Sequence, residues 1–521
     1  MSFAGELGLW VGLLMAGWGA LASFAGQHWR RLDLQDSGAR GLYATSVLLA
    51  VAIVGLFGAL LRQDFSLTIV AATTGLDLPW PYRIAALWST PSGATLCLAL
   101  ATAVPVALVL RSLRARRDPV AVRFAGAASL LLLFLMLLIR AGADPYDILP
   151  VPPVDGAGMH PSLQRPGMLL HPPLLAMAVG LAAVPCVLAL CCIAAGHVSA
   201  RSRFHMRRSA AIGWGILTLA IVAGMWWTHV TRTAGRSWPL DPIVHGTLFP
   251  SLLLGAFCAW GGRTRTGRWA STALVLPVAA LLVAMALVLA TQLGLTLAPF
   301  ERLASPVGLV IGALILVGTG ATVALARERL GAQPAEERGD TSSADSDVVT
   351  SSIVRSQRAR QLAAGIAVVG AVLLGAAIAG HLARATSTID LRPGDSAVRT
   401  DPFGREWRIV HEGTSVFPQA NRRVLAVGLG LFRDARRAGT IAPQLREYVT
   451  AQGEPTHEPA SVPAVRSRPG VDVVASIAER SAERVRIRID FEPFALWAWI
   501  GGVLLAAGGT IYVWPRRGVD A

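Results

Sequence analysis

The chain has 521 residues, 53% hydrophobic and 15% charged, with a mean hydropathy of +0.53 and a formal net charge of +15. Soluble domains carry about 25% charged residues, so this composition excludes a soluble globular protein and calls for many separate apolar segments. Every basic residue is Arg. The Arg side chains gather in alternate loops, which makes the positive charge a signal of membrane topology and argues against a nucleic-acid footprint.

Apolar runs of about 17–25 residues are long enough to cross a bilayer as helices. Eleven are expected, near 4–24, 42–62, 93–110, 122–140, 174–196, 209–227, 243–261, 270–292, 306–326, 361–380 and 494–514. No cationic segment precedes the first, which reads as an uncleaved helix. The loops after the odd-numbered spans, with the C-terminus, hold 23 Arg, against seven in the intervening short loops. The positive-inside rule then puts the N-terminus outside and the C-terminus in the cytoplasm. The fold class expected is an all-α polytopic membrane protein with a small β-rich external domain near the C-terminus.

In chain order, the loop after span two carries Tyr82-Arg83-Ile84-Ala85-Ala86-Leu87-Trp88. Residues 141–173 form an external loop rich in Pro and Gly, ending in Pro166-Gly167-Met168-Leu169-Leu170-His171-Pro172-Pro173. Two following prolines constrain the backbone at His171 and so fix where its ring points. Imidazole is a good axial ligand for heme iron, yet a lone His is more often structural, and His160, His229, His245, His381, His411 and His457 also fall outside. The five Cys all lie in spans and none forms C-x-x-C, so a disulfide framework, a redox pair and a covalent heme site are unsupported. Apolar packing explains them better.

The loop after span six, 228–242 with its approach, reads Met225-Trp226-Trp227-Thr228-His229, then Ser237-Trp238-Pro239-Leu240-Asp241-Pro242-Ile243-Val244-His245. Trp gathers at membrane interfaces because its ring is amphipathic, which accounts for Trp226 and Trp227. It does not account for Trp238 and Asp241 followed by the rigid turn at Pro242. An aromatic shelf there suits a large planar apolar ligand with a polar rim. Residues 1–327 thus form a transmembrane core and 328–360 a polar cytoplasmic linker. Span ten occupies 361–384, and 385–492 alternate like strands, clearest at Val485, Ile487, Ile489 and Phe491. The last span and a short cytoplasmic tail fill 493–521.

Together these stretches resemble the CcmF family, of the wider CcmF and CcsA type, in cytochrome c maturation. Tyr82–Gly93 resembles the family's first signature, and Leu149–Gly156 with His160–Pro173 resembles its external loop. Trp227–His245 aligns with its tryptophan-rich loop, and Glu492–Gly501 with its last motif. The resemblance implies a bacterial inner-membrane heme lyase component that holds heme at the tryptophan-rich loop and helps attach it to apocytochrome c. Its implied partners are a CcmE-like heme chaperone and a CcmH-like thiol reductase subunit. It implies His171 as an axial heme ligand, with Trp226, Trp227, Trp238, Asp241 and Pro242 around the heme. The position of the family's second external ligand aligns with Phe300, so the second place is open, or is filled by His245 or His229, or by the incoming cytochrome's own His. Ala259 and the absence of His from Gln361 to Gly380 imply that the family's membrane-embedded heme is missing. Two readings stand beside this one: a scaffold of the maturation complex that holds no heme, and a small-molecule transporter. The second would need charged residues within the spans, and these are scarce.

Overall fold

The computed structural model describes residues 2–142, 144–231, 242–260, 273–292, 346–419, 421–434, 436–449, 453, 455, 458–481 and 484–514. Helix α1 (Ser2–His28) and α2 (Leu32–Arg62) form a hairpin, followed by short helices α3 (Thr68–Thr73) and α4 (Trp80–Ala85). Then come α5 (Pro91–Ala115), α6 (Ala121–Ala141), α7 (Pro166–Ala195), α8 (Ala200–Thr231), α9 (Pro242–Trp260) and α10 (Val275–Gln292). Helix α11 (Ser346–Leu382) leads into ten strands, and α12 (Ala495–Val513) follows them.

Among the described residues eight helices are long and apolar enough to cross a membrane: α1, α2, α5, α6, α7, α8, α11 and α12. They are apolar on most faces because a backbone in lipid must satisfy its own hydrogen bonds and its side chains must face hydrocarbon. Within α9 and α10 run shorter apolar helices, Thr247–Ala259 and Val275–Ala286. The expected span 306–326 lies outside the described residues. Three expected boundaries move. The loop expected at 141–173 is irregular only to Arg165, because Pro166 at the first helical position starts α7. Thr228 and His229, expected in a loop, complete the last turns of α8. Of the linker expected at 328–360, residues 346–360 are helical and continue into the span.

Glycines set how closely α12 packs on both its neighbours. An added Cβ on Gly501 would lie 2.7 Å from Gly370 O, and one on Gly508 2.7 Å from Ala363 O, both on α11. On its other side, a Cβ on Gly502 would sit 2.2 Å from a Val222 methyl, and one on Gly509 2.3 Å from the Trp214 ring of α8. Small residues let helix backbones approach where the hydrophobic effect supplies no attraction between them. The five Cys stay unpaired; Cys186, Cys191, Cys192 and Cys258 are buried, and Cys97 is half-buried.

Between α11 and α12 the strands make two antiparallel sheets. One has the order β1 (Ala385–Leu391), β10 (Val485–Pro493), β9 (Val471–Arg480), β8 (Ala464–Arg466). The other has β2 (Ser396–Thr400), β3 (Glu406–Gln419), β4 (Arg422–Arg433), β6 (Gln444–Tyr448), β7 (Ala460–Val462), with β5 (Arg436–Ile441) also on β4. Their facing sides bury Ile389, Trp407, Ile409, Leu429, Leu431, Val473, Ile487, Ile489 and Phe491. The alternation expected on β10 is the inward face of that core. The turn at Pro393-Gly394 holds Gly394 at φ +92°, a value open chiefly to glycine.

Candidate functional site

The tryptophan-rich sequence and the Pro-flanked His meet where α7 and α8 cross. His171 stands in the second turn of α7 and is 7% exposed. Its Nδ1 lies 2.7 Å from the carbonyl oxygen of Ala220 on α8, so Nδ1 carries a proton and donates it. The Trp227 ring lies 6.1 Å from the imidazole, centroid to centroid. Each ring rests on a glycine of the opposite helix. A Cβ on Gly224 would come within 2.9 Å of the imidazole, and one on Gly167 within 2.3 Å of the Trp227 ring. The seam is a reciprocal fit of two rings and two glycines; Gly167 belongs to the Pro166–Pro173 motif, whereas nothing in the sequence marks Gly224. Pro172 and Pro173 lie inside α7, past its first turn, and each lacks the N–H that would bond back to the carbonyl four residues before it.

The short motifs around this seam build its frame. Thr90 caps α5 by accepting from Gly93 N (3.2 Å), and Trp88 Nε1 donates to Met168 O (2.8 Å), tying the α5 entrance to the first turns of α7. A Cβ on Gly93 would collide with Leu87 O at 2.0 Å, so the turn needs glycine there. In the 142–165 loop, Asp155 Oδ1 accepts from Leu76 N (2.8 Å) and Gly156 N (2.7 Å). Gln164 donates to Met159 O (2.8 Å) and accepts from Asn421 Nδ2 of the β-domain (3.2 Å).

His229 does something the sequence did not suggest. It is 1% exposed, with Nδ1 3.1 Å from Glu492 Oε2 and Nε2 3.6 Å from Asp472 Oδ2. Glu492 reaches a second imidazole through its other oxygen, 3.2 Å from His381 Nδ1 at the end of α11, and Arg384 Nη1 contacts His381 Nε2. Asp472 also accepts from Ser467 Oγ (2.8 Å) and Arg468 N (3.0 Å). Trp499 of α12 lies 5.5 Å from the His229 ring. As a correction to its place among candidate iron ligands, both ring nitrogens of His229 face carboxylates. The network joins α8, α11 and the final strands. Its carboxylates were invisible beforehand because they lie 243 and 263 residues downstream of His229, as the numbering shows.

An apolar cavity of about 860 Å³ opens between α5, α7, α9 and α10, lined by Trp88, Pro172, Pro173, Leu217, Thr247 and Pro250 among others. That volume suits a small-molecule ligand. His171 is not part of its lining; the ring turns to α8. Trp226 is half-buried in the last turns of α8. Trp238 and Asp241 lie outside the described residues, as does Phe300. Pro242 and His245 fall in the first turns of α9.

Residues 88–297 match the model of the family described as cytochrome C assembly protein. The chain is 30% identical over 253 residues to the "Probable cytochrome c-type biogenesis protein NrfE" of Escherichia coli K12, covering 46% of each chain. It is 29% identical over 206 residues to the cytochrome c-type biogenesis protein CcmF of Pseudomonas aeruginosa, covering 39% of this chain and 31% of that one. The matches thus span less than half the length of these curated relatives. A solved structure of the cytochrome c heme lyase CcmF superposes over 99% of this chain and 98% of its own, with a TM-score of 0.70 at 19% identity, and shows the fold to be shared. The matched region holds both helices of the His171–Trp227 seam, and there the chain is similar to the CcmF-type proteins of cytochrome c maturation.

Proposed function

We propose that this protein is a heme lyase component of cytochrome c biogenesis, holding heme beside the α7–α8 seam while it is attached to apocytochrome c. The observation that carries the reading is His171. Its Nδ1 donates to a backbone carbonyl, which fixes the tautomer and orients the ring, the arrangement that suits an axial iron ligand. Trp227 supplies an aromatic wall beside it. Trp226, with Trp238, Asp241 and Pro242 close by in sequence, belongs to the stretch we assign to heme handling, and His245 is the candidate for the second axial place. His229, held between Glu492 and Asp472, belongs to the frame.

Heme is the substrate here. Thioether formation adds each cysteine S–H across one vinyl C=C, so no group leaves and no external oxidant or reductant is needed. The protein's part is to hold the two vinyl groups and the two thiols in register, which converts an encounter into a local reaction. A heme chaperone of the CcmE kind would deliver the substrate, and a CcmH-like thiol reductase would keep the cysteines reduced. We place the protein in the bacterial inner membrane with its N-terminus and β-domain outside, on the Arg asymmetry.

The test is the purified full chain titrated with heme, alongside cytochrome c yield in cells carrying the native partners. The wild type should develop a Soret band that His171→Ala loses, with a fall in yield at equal protein level. Both unchanged in His171→Ala would replace this reading with a scaffold that docks partners without holding heme.

A further inference from the structure

Three guanidinium groups meet over the start of α7 with no carboxylate among the described groups that act on Arg165. Arg165, the residue before α7, is 5% exposed, and its Nε has no hydrogen-bond partner. Arg422 and Tyr448 pair across β4 and β6, as do Val424 and Arg446 one step along. Residues two apart on a strand share a face, so Arg422, Arg446 and Tyr448 all project from one side of the β-domain. The Arg422 guanidinium lies 5.8 Å above the Tyr448 ring, and its Nη1 is buried without a partner. The neighbouring hydrogen bond from Asn421 to Gln164 brings this face onto the 142–165 loop.

Electrostatics agree with that placement. Burial pushes the Arg165 guanidinium down to about 10; Tyr448 and Tyr82 oppose the shift, while Arg446 and Arg422 add to it. Burial, with Arg422 next, also lowers Arg446, and burial raises the Tyr82 hydroxyl. Every group acting on Arg165 is therefore a cation or a phenol. The positive end of the α7 dipole lies at the same place. Clustered, desolvated guanidiniums without a counter-charge are costly alone and well suited to an incoming oxyanion, which planar guanidinium forks grip in pairs.

We infer that Arg165, Arg446 and Arg422, with the hydroxyls of Tyr82 and Tyr448, form a site for the paired carboxylates of an amphiphilic ligand, namely the propionates of the heme whose iron faces His171. This rests on the heme reading above. Arg165 precedes His171 by six residues, a rise of about 9 Å along a helix, comparable to the reach from a tetrapyrrole's centre to its propionate ends. The site would fix the in-plane orientation of the ring, and hence which vinyl group meets which thiol. A lipid phosphate offers similar oxyanion chemistry and is the competing source.

The experiment uses the purified full chain, with Arg165→Gln, Arg446→Gln, the double variant, and Arg423→Gln as a control on the exposed face of β4. Hemin and hemin dimethyl ester, whose propionates are masked, are titrated by Soret absorbance. The wild type and the control should prefer hemin, and the double variant should bind hemin about tenfold more weakly or worse, as loss of charge-assisted hydrogen bonds implies, while binding the ester as before. His171→Ala separates the two ideas: it should remove the iron signature and leave the preference for the free acid. Thermal unfolding with glutarate and with phosphatidylglycerol as probes covers a failure of heme binding itself. An arginine-dependent gain from glutarate supports the carboxylate site even then. No arginine-dependent preference for hemin over its ester and no such gain from glutarate would overturn it, as would a gain from phosphatidylglycerol alone. Arg165→Gln should leave the ligand-free midpoint unchanged or raised, by relieving repulsion; a fall would mark a structural guanidinium and overturn the proposal.

Discussion

At the scale of single residues, the site depends on side chains that are missing. His171 can seat its ring against α8 only because position 224 carries no Cβ, and Trp227 lies over α7 only because position 167 carries none. Val at position 224 would put three carbons where the imidazole now stands. We expect Gly224→Val to cost about 1–3 kcal/mol in overpacking and to weaken heme binding while leaving His171 in the chain. Heme titration and a thermal melt of the membrane-extracted protein check it; wild-type binding in this variant would show that the seam does not orient the ring. His171 itself was legible, because the prolines after it constrain a short stretch of sequence. Gly224 opposite was not: a Gly in an apolar helix looks the same whether it faces lipid or a ring.

At the scale of elements, Glu492 is the joint. It lies at the end of β10, three residues before α12 begins, and contacts imidazoles from the ends of α8 and α11. Removing one partner of such a group leaves a buried charge uncompensated, at a cost of about 3–5 kcal/mol. His229→Ala should therefore lower the unfolding midpoint sharply, with His229→Gln recovering part of the loss through its hydrogen-bonding amide. A melt of His229→Ala indistinguishable from wild type would sink the assignment of His229 to the frame. The helices and the β10 alternation were readable from hydropathy and period, since each reflects a local pattern. The joint was not, because it unites residues far apart in sequence whose only shared property is a low exposure in the folded chain.

At the scale of the whole molecule, the β-domain lies on the side of the loops that hold few Arg. Its contacts reach Gln164 before α7 and His229 at the end of α8, both at the membrane edge opposite the Arg-rich turns at Arg30–Arg31 and Arg114–Arg117. Placed outside the cell membrane, this side would meet a delivered heme and an apocytochrome. Single-cysteine variants test the orientation in intact spheroplasts with a membrane-impermeant maleimide. Val416→Cys, at a position 66% exposed on β3, should label at once, and Arg117→Cys, in the exposed turn after α5, only after lysis. The opposite pattern would reverse the topology and move the proposed site to the cytoplasm.

The membrane helices, the alternation of Arg between loops and the presence of a β-domain followed from the sequence alone, because hydrophobic length, charge asymmetry and period are properties of contiguous residues. So did the likeness of the short motifs to one family. What those motifs do was decided by tertiary structure. Asp155, Gly93 and Gln164 turn out to hold loops and domains together, and His229 to face carboxylates contributed by β9 and β10. Arg165, Arg422 and Arg446 became a cluster only when two strands and a loop met. Burial, charge compensation and close ring contacts arise between segments distant along the chain, and only the folded arrangement brings them together.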